Sequence, residues 1–195
     1  MEILKLQKGD ALIIVDVQND FLPGGTLGVK HGEEIIASLN AYIDRFGKKD
    51  LPVFATRDWH PVRHCSFTTQ DGLWPPHCIA DTFGAEFAHK LKIPINARII
   101  SKAVRDNIDV YSGFGETDLH DRMQSMDIKR VFIGGLAIDY CVKATVQDAV
   151  NCGYETYYLK DASRAVNIKL TDGELAEQAM VESGAKIINT FKELR

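Results

Sequence analysis

The sequence lacks the features that mark several classes of protein. Its 195 residues contain no apolar run approaching the roughly 20 residues that a membrane-spanning helix needs. The net charge is −4 and no segment concentrates lysine or arginine, so neither nucleic acid nor an anionic membrane is an expected partner. The first ten residues carry acidic side chains and no long apolar core, unlike a signal or transit peptide. We therefore predict a cytoplasmic protein.

Cysteine is scarce, and sequence repeats are absent. The four cysteines are expected to be free thiols in a reducing compartment, and a chain of this length needs no disulfide to stay folded. No internal repeat, low-complexity stretch or Pro/Gly/Ser-rich linker divides the sequence. Residues 1–195 are therefore predicted to form a single domain, because two domains would each have a small core.

Apolar runs typical of buried strands alternate along the chain with segments of helical spacing. This alternation predicts parallel strands joined by right-handed crossovers, hence a three-layer α/β fold with a central parallel sheet of about six strands. An irregular stretch rich in proline, histidine and tryptophan interrupts the pattern up to about residue 84. The strands are predicted at 11–17, 51–58, 97–103, 130–137, 154–161 and 185–190, and the helices at 33–47, 117–126, 139–153 and 171–184.

Reactive side chains lie at or just after the ends of four predicted strands. They are Asp16, Asp58, Lys102 and Cys141. In open parallel sheets the ligand crevice lies beyond the carboxyl ends of the strands. The sequence therefore predicts that these four side chains meet in one site.

Cys141 falls in the first turn of a predicted helix, directly after the stretch "GGLAIDY". Free backbone N–H groups and the helix dipole favour a thiolate at such a position. The small residues before it permit a tight turn whose N–H groups can hold the oxyanion of a tetrahedral intermediate. The stretch alone leaves open a second interpretation, in which Cys141 packs as a small hydrophobic residue.

Asp16 ends a strongly apolar strand, where a carboxylate is costly unless it is used or paired. It can act as general base toward a thiol and then as general acid toward a leaving amine, or it can cap the following turn. Lys102 near Asp16 would hold the acid in place and stabilise a thiolate and an oxyanion. Taken alone, a lysine at such a position is more commonly a solvated residue at the rim of the sheet.

A second group of polar residues predicts a metal site. Asp58 and His60 lie where a strand gives way to a loop, and His77 follows in "WPPHC". Two histidines and a carboxylate suit a divalent first-row metal and leave coordination positions open. His64 is a further candidate, either as a fourth ligand or as a group that fixes the loop.

Two other metal sites are compatible with the same stretch. A closed structural zinc site would recruit Cys65 and Cys78, but their adjacency to His64 and His77 matches poorly the usual spacing of zinc ligands. A non-haem iron oxygenase also uses two histidines and a carboxylate, but it would leave the reactive residues at the other strand ends unexplained.

Aromatic residues in the loops are candidates for binding a flat ring. Phe21 and Trp74 could sandwich such a ring, and Tyr111 is a weaker candidate for the pocket wall. Each could equally anchor a loop or fill the core, as aromatic residues usually do.

Taken together, these motifs resemble the nicotinamidase/pyrazinamidase branch of the isochorismatase-like hydrolases over about residues 10–190. The resemblance depends on six stretches in the same order: "VDVQNDFLPGGTL", "TRDWHPVRHCSF", "WPPHC", the lysine of "IISKA", "YSGF" and "GGLAIDYCVKATVQDA". It implies a Rossmann-like fold and the hydrolysis of nicotinamide to nicotinate and ammonia through a thioester, within NAD salvage.

The resemblance also implies roles for individual residues. Asp16, Lys102 and Cys141 match the catalytic triad, and the N–H groups of Ala137 and Cys141 match an oxyanion hole preceded by a cis peptide bond between Leu136 and Ala137. The matched metal ligands are Asp58, His60 and His77, with His64 a ligand in only some members. Phe21 and Trp74 match ring-stacking positions. The implied cofactor is one divalent metal ion that meets the ring nitrogen of the substrate, with zinc expected first and iron or manganese as alternatives.

Two positions depart from the pattern of the family. Ile138 stands in the catalytic turn where threonine is common, which could alter hydrogen bonding beside the nucleophile. Cys65 stands in "HCSF" near the metal loop, where it could be open to oxidation.

Several other functions remain to be weighed against a nicotinamidase. One is an amidase of the same fold acting on a carbamoyl or ureido substrate, for which the complete set of metal ligands would be unusual. Another is a non-catalytic binding protein, which would be free to lose the triad that this chain keeps. Isochorismatase proper does not use a cysteine nucleophile at this position. Substrate breadth, including pyrazinamide, is left open, and self-association into a homo-oligomer is compatible with the sequence.

Overall fold

A computed structural model describes residues 3–195. All the strand pairs of its six-stranded sheet are parallel, and the strand order is β3-β2-β1-β4-β5-β6. The strands are β1 (Asp10–Val15), β2 (Val53–Asp58), β3 (Arg98–Lys102), β4 (Arg130–Leu136), β5 (Glu155–Arg164) and β6 (Lys186–Ile188). The α-helices are α1 (Ile35–Gly47), α2 (Leu119–Ser125), α3 (Lys143–Asn151) and α4 (Asp172–Glu182). This is the predicted α/β fold, with the strand order of a Rossmann fold.

Two hydrophobic layers cover the sheet because successive side chains of each strand point to opposite faces. In β1, Leu12 and Ile14 pack toward α1, whereas Ala11 and Ile13 pack toward the layer that contains α2, α3 and α4. All six residues of β1 are buried. The continuous apolar run at this position is therefore explained by a central strand that is covered on both faces.

Most predicted boundaries lie within two or three residues of the observed ones, and the differences have local causes. β1 ends at Val15 because Asp16 adopts a left-handed backbone conformation, with φ of 50°, and turns the chain out of the sheet. The predicted helix at 139–153 is divided into a π-helical turn, Ile138–Val142, and α3. β5 continues to Arg164 through an irregularity in its pairing with β4.

The irregular stretch is longer than predicted and runs from the end of β2 to the start of β3. Within it the chain forms only 3₁₀ turns at Thr68–Gln70 and Phe83–Ala85. This segment lies over the carboxyl ends of the strands, where isolated bridges such as the one between His60 and Ile79 fix its course. No helix within residues 3–195 is long and apolar enough to cross a bilayer.

Candidate active site

Asp16 directly follows β1, and its side chain meets residues of the neighbouring strands β2 and β3. Its carboxylate is completely buried, and its Oδ1 atom accepts a hydrogen bond of 2.6 Å from the Thr56 hydroxyl. Its Oδ2 atom lies 2.9 Å from the Nζ atom of Lys102 but has no hydrogen bond of good geometry within residues 3–195. One carboxylate oxygen is therefore held by a hydroxyl, and the other remains able to accept a proton.

Lys102 connects the candidate catalytic residues. Its side chain is completely buried, and its Nζ atom lies 2.5 Å from Oδ1 of Asp58 and 3.5 Å from Sγ of Cys141. The carboxylate oxygens of Asp16 and Asp58 and the Cys141 sulfur lie within 4.8 Å of one another. The structure thus brings together all four side chains that follow the strands, and it excludes the interpretation of Lys102 as a solvated rim residue.

The charges in this cluster explain its protonation. Burial raises the pKa of Asp16, and the positive charge of Lys102 offsets only part of that effect. Burial likewise raises the pKa of the Cys141 thiol, with a partial opposing effect from Lys102. For Lys102 burial would lower the pKa, but the negative charges of Asp16 and Asp58 prevail and raise it. The lysine is therefore a permanent cation beside a resting thiol rather than a resting thiolate.

Cys141 lies in the π-helical turn at the start of α3, and its side chain is 6% exposed. The peptide bond between Leu136 and Ala137 is cis, as the sequence resemblance suggested. The Ala137 carbonyl accepts hydrogen bonds from the N–H groups of Tyr140 and Val142, which close the turn. Although nearly buried, Cys141 lines an open cavity, so it is not a residue of the hydrophobic core alone.

The candidate metal ligands also converge. Ligand atoms of Asp58, His60 and His77 lie within 4.8 Å of one another, and all three residues are buried. Neither ring nitrogen of His60 has a hydrogen-bond partner within residues 3–195, although buried polar atoms are normally paired. The His77 Nδ1 atom lies 2.8 Å from the Pro75 carbonyl, so Nδ1 carries the proton and Nε2 is left unprotonated. Two available imidazole nitrogens and a carboxylate fit a divalent metal ion.

His64 differs from the other three residues. Its Nδ1 atom lies 2.7 Å from the Ser66 hydroxyl and its Nε2 atom 3.0 Å from the Ile108 carbonyl, so both ring nitrogens are engaged. Its ring packs against that of His60, with 4.2 Å between the ring centroids. Because both nitrogens are engaged, the arrangement favours a group that fixes the loop over a fourth ligand. Cys65 and Cys78 are likewise absent from the ligand cluster, which disfavours the closed zinc site.

A cavity of about 320 Å³ is lined both by Cys141 and by the three candidate metal ligands Asp58, His60 and His77. Pockets of this size hold small organic ligands. Phe21, Trp74 and Tyr111 all contribute to its wall, in the positions predicted for ring-binding residues. The indole N–H of Trp74 donates a hydrogen bond of 3.0 Å to the Tyr111 hydroxyl, which fixes the two rings relative to each other.

Sequence reasoning missed several residues of the site. Tyr140 lines the cavity and its ring contacts that of Trp74 edge-on, at 5.2 Å between centroids. Its position beside Cys141 was the available signal. Thr56 and Val166 carried no signal, because a strand threonine and a loop valine have no chemistry of their own to mark them.

The chain is similar to proteins of known activity. The isochorismatase domain matches residues 10–190. The nicotinamidase of Escherichia coli strain K12 is 34% identical, over 91% of this chain and 93% of the relative. The pyrazinamidase of Pyrococcus horikoshii, solved in complex with zinc, is 45% identical with a TM-score of 0.89 and covers 93% of this chain and 99% of its own. PnC1 from L. infantum, solved with nicotinate, is 33% identical with a TM-score of 0.90 and covers 100% and 99%.

These matches extend over nearly the whole of each relative, and they agree with a six-stranded parallel sheet that carries a cysteine and a group of candidate metal ligands at one edge. The chain therefore belongs to the isochorismatase family, in the branch that contains the nicotinamidases.

Proposed function

We propose that this protein is a metal-containing cysteine amidohydrolase that converts nicotinamide to nicotinate and ammonia. The observation that carries the proposal is the position of Cys141, whose sulfur lies 3.5 Å from a buried ammonium group and beside the Asp58/His60/His77 cluster in one cavity. A thiol is a suitable nucleophile for an amide carbonyl carbon. A metal ion held by the adjacent pair of imidazoles would suit a substrate with a ring nitrogen. The relatives named above support the same reaction.

In the first half of the reaction, Asp16 is the general base. Its Oδ2 atom takes the proton of the Cys141 thiol as the sulfur attacks the amide carbonyl carbon. Because burial raises the pKa of the thiol, this proton transfer accompanies the attack and does not precede it. The backbone N–H groups of Ala137 and Cys141 are the proposed donors to the oxyanion, and Lys102 supplies a nearby positive charge.

In the second half, the tetrahedral intermediate collapses to a thioester. Asp16 returns its proton to the amide nitrogen, the carbon–nitrogen bond breaks and ammonia leaves. A water molecule then attacks the thioester carbonyl and gives one proton to Asp16. The carbon–sulfur bond breaks, Asp16 returns that proton to the Cys141 sulfur, and the product acid departs and loses its own proton to solvent as nicotinate. Each proton taken by the carboxylate is thus given back within one turnover.

Asp58, His60 and His77 would hold one divalent metal ion, with zinc expected first because a zinc complex of a similar protein is known. When bound, the metal supplies an electrophilic partner for the pyridine nitrogen and so orients the ring. On this proposal Phe21 and Trp74 flank the ring and Tyr111 closes the wall. His60 and His77 serve as neutral ligands, and burial lowers the pKa of His77 in agreement with that role.

The runner-up function is an amidase acting on a carbamoyl or ureido substrate. Such substrates have no ring nitrogen to bind the metal and no flat ring to pack against the aromatic side chains. The nicotinamide assignment is therefore favoured. Four further features remain predictions: a cytoplasmic location, a single domain over residues 1–195, the absence of nucleic acid or membrane partners, and self-association into a homo-oligomer.

The test of the proposed function is ammonia release from nicotinamide, measured with and without added zinc, beside pyrazinamide, benzamide and a ureido compound. We expect nicotinamide and pyrazinamide to be hydrolysed in a metal-dependent manner and the ureido compound to be inert. Hydrolysis of the ureido compound with no activity on nicotinamide would replace this assignment by the runner-up.

A further inference from the structure

Gln18 is completely buried, and its side-chain amide binds the backbone of a candidate metal ligand. Its Oε1 atom accepts a hydrogen bond of 2.8 Å from the Asp58 N–H, and its Nε2 atom donates one of 2.8 Å to the Asp58 carbonyl. The second Nε2 proton goes to the Ala85 carbonyl at 2.9 Å. Both amide protons are thus used, and two of the three contacts are made with one residue.

The sheet explains why a side chain is needed there. The pairing of β1 with β2 stops at Val15 and Thr56, because the chain leaves the sheet at Asp16. Asp58 still pairs with Lys102 of β3 on one side, but it has no strand partner on the other. The Gln18 amide occupies that open side with the donor and acceptor pattern that a neighbouring strand would supply.

The same amide reaches the segment that carries a second ligand. Ala85 lies in the 3₁₀ turn that follows His77 in the irregular stretch. Gln18 therefore connects the end of β2 with the loop that leads away from His77. Gln18 does not itself line the cavity, whereas Asp58, whose backbone it binds, does.

We propose that Gln18 is a positioning residue that sets the Asp58 carboxylate for metal binding by completing the backbone pairing of Asp58. This inference rests on the metal site of the proposed function. A ligand whose backbone is free to shift loses affinity, and changing the residues that support metal ligands typically costs about 10- to 100-fold in metal affinity.

The experiment measures the affinity of metal-free protein for Zn²⁺ by competition with a chromogenic chelator. Gln18→Glu keeps the length and the acceptor but places an oxygen against the carbonyls of Asp58 and Ala85. We expect its affinity for Zn²⁺ to fall about 10- to 100-fold. Gln124→Glu makes the same chemical change at an exposed glutamine of α2, and its affinity should equal that of the unchanged protein.

A second comparison separates this role from general damage to the site. Thr56→Val removes the hydrogen bond to Asp16 without touching Asp58, so it should lower kcat while keeping the affinity for Zn²⁺. Excess Zn²⁺ should restore much of the activity lost in Gln18→Glu but none of that lost in Thr56→Val. Equal Zn²⁺ affinity in Gln18→Glu and Gln124→Glu would overturn the proposal.

If Gln18→Glu fails to fold, the same measurement of Zn²⁺ affinity is made on Gln18→Met. This variant removes the hydrogen bonds without adding a repelling oxygen. Wild-type affinity in folded Gln18→Met would refute the positioning role. Failure of both variants to fold would also refute it, because Gln18 would then be a residue of global stability. If the Gln18 variants lose Zn²⁺ affinity as expected but the unchanged protein does not hydrolyse nicotinamide, the proposed function is wrong and the positioning role of Gln18 stands.

Discussion

The Nζ atom of Lys102 lies 2.5 Å from Oδ1 of Asp58, so the amine proposed for catalysis is bonded to a carboxylate proposed for metal binding. Lys102 also neutralises Asp16, and its loss would leave two buried carboxylates without a cation. We expect Lys102→Met to lower the free energy of unfolding by about 3–5 kcal/mol and kcat by at least about a hundred-fold. Urea denaturation and steady-state kinetics measure the two effects.

The matched control for that change is Lys160→Met. Lys160 forms a half-exposed ion pair of 2.6 Å with Glu177 outside the site. Removing a pair of this kind costs at most about 1 kcal/mol. Similar losses of stability in the two variants would contradict the buried position assigned to Lys102.

Cys141→Ala should abolish turnover while leaving the binding of nicotinamide nearly intact. The side chain provides the attacking atom but only a small part of the cavity wall, so we expect kcat to fall at least about a thousand-fold. Calorimetry should find nicotinamide affinity within a few-fold of the unchanged protein. Cys152→Ala, at an exposed thiol after α3, serves as the control and should retain full activity. Normal turnover in Cys141→Ala would rule out the nucleophile.

Removal of the metal by chelation should act chiefly on substrate binding. Because the proposed partner of the metal is the ring nitrogen, KM for nicotinamide should rise steeply while kcat changes less. Benzamide has the same amide without the ring nitrogen, so whatever rate it shows should be insensitive to chelation. A metal-free protein that binds nicotinamide normally would count against the orienting role of Asp58, His60 and His77.

Tyr111→Phe should raise KM several-fold with little change in kcat. The substitution leaves the Trp74 indole N–H without its acceptor, which loosens the aromatic wall but does not touch the sulfur. Burial raises the pKa of Tyr111 to about 12, so its hydroxyl remains neutral across the working pH range. Tyr154→Phe removes a hydroxyl that contacts His120 outside the cavity and should leave KM unchanged.

The stability of the protein should fall in alkaline solution through its buried tyrosines. Burial, reinforced by the hydrogen bond to Asp161, raises the pKa of Tyr42 above the value of about 10 in an unfolded chain. The folded state therefore holds this proton more tightly, so its contribution is complete below about pH 10 and declines as the pH rises toward the folded pKa. Tyr158 behaves in the same way.

Urea denaturation at a series of pH values measures this decline. Above pH 10 the free energy of unfolding of Tyr42→Phe should fall less steeply than that of the unchanged protein, by about 1.4 kcal/mol per pH unit. An unchanged slope in Tyr42→Phe would mean that Tyr42 does not keep its proton on folding as described.

The sheet could be predicted because its signals are local. Apolar runs and helical spacing gave all six strands and all four α-helices, and the strand signal is clearest in β1 and β4, which are buried at every residue. The point where β1 ends was misplaced by two residues, because the left-handed backbone of Asp16 depends on contacts with Thr56 and Lys102 that are distant in sequence.

The candidate site could be predicted only for residues that carry chemistry. Asp16, Lys102 and Cys141 were found because parallel strands bring their carboxyl ends to one edge. Sequence spacing could not reveal that Lys102 pairs with the candidate metal ligand Asp58 as well as with Asp16. It also left the role of His64 undecided, because only coordinates show that Ser66 and Ile108 engage both of its ring nitrogens.

The order of the strands has a consequence for how the activity is gained and lost. Asp16, Asp58, Lys102 and Cys141 each lie at or after the end of a different strand, and those four strands are adjacent in the sheet. The complete reaction centre needs the whole segment 16–141, and pairings this distant in sequence form slowly. In destabilised variants the fraction of folded, active molecules should therefore fall, while kcat per folded molecule stays unchanged.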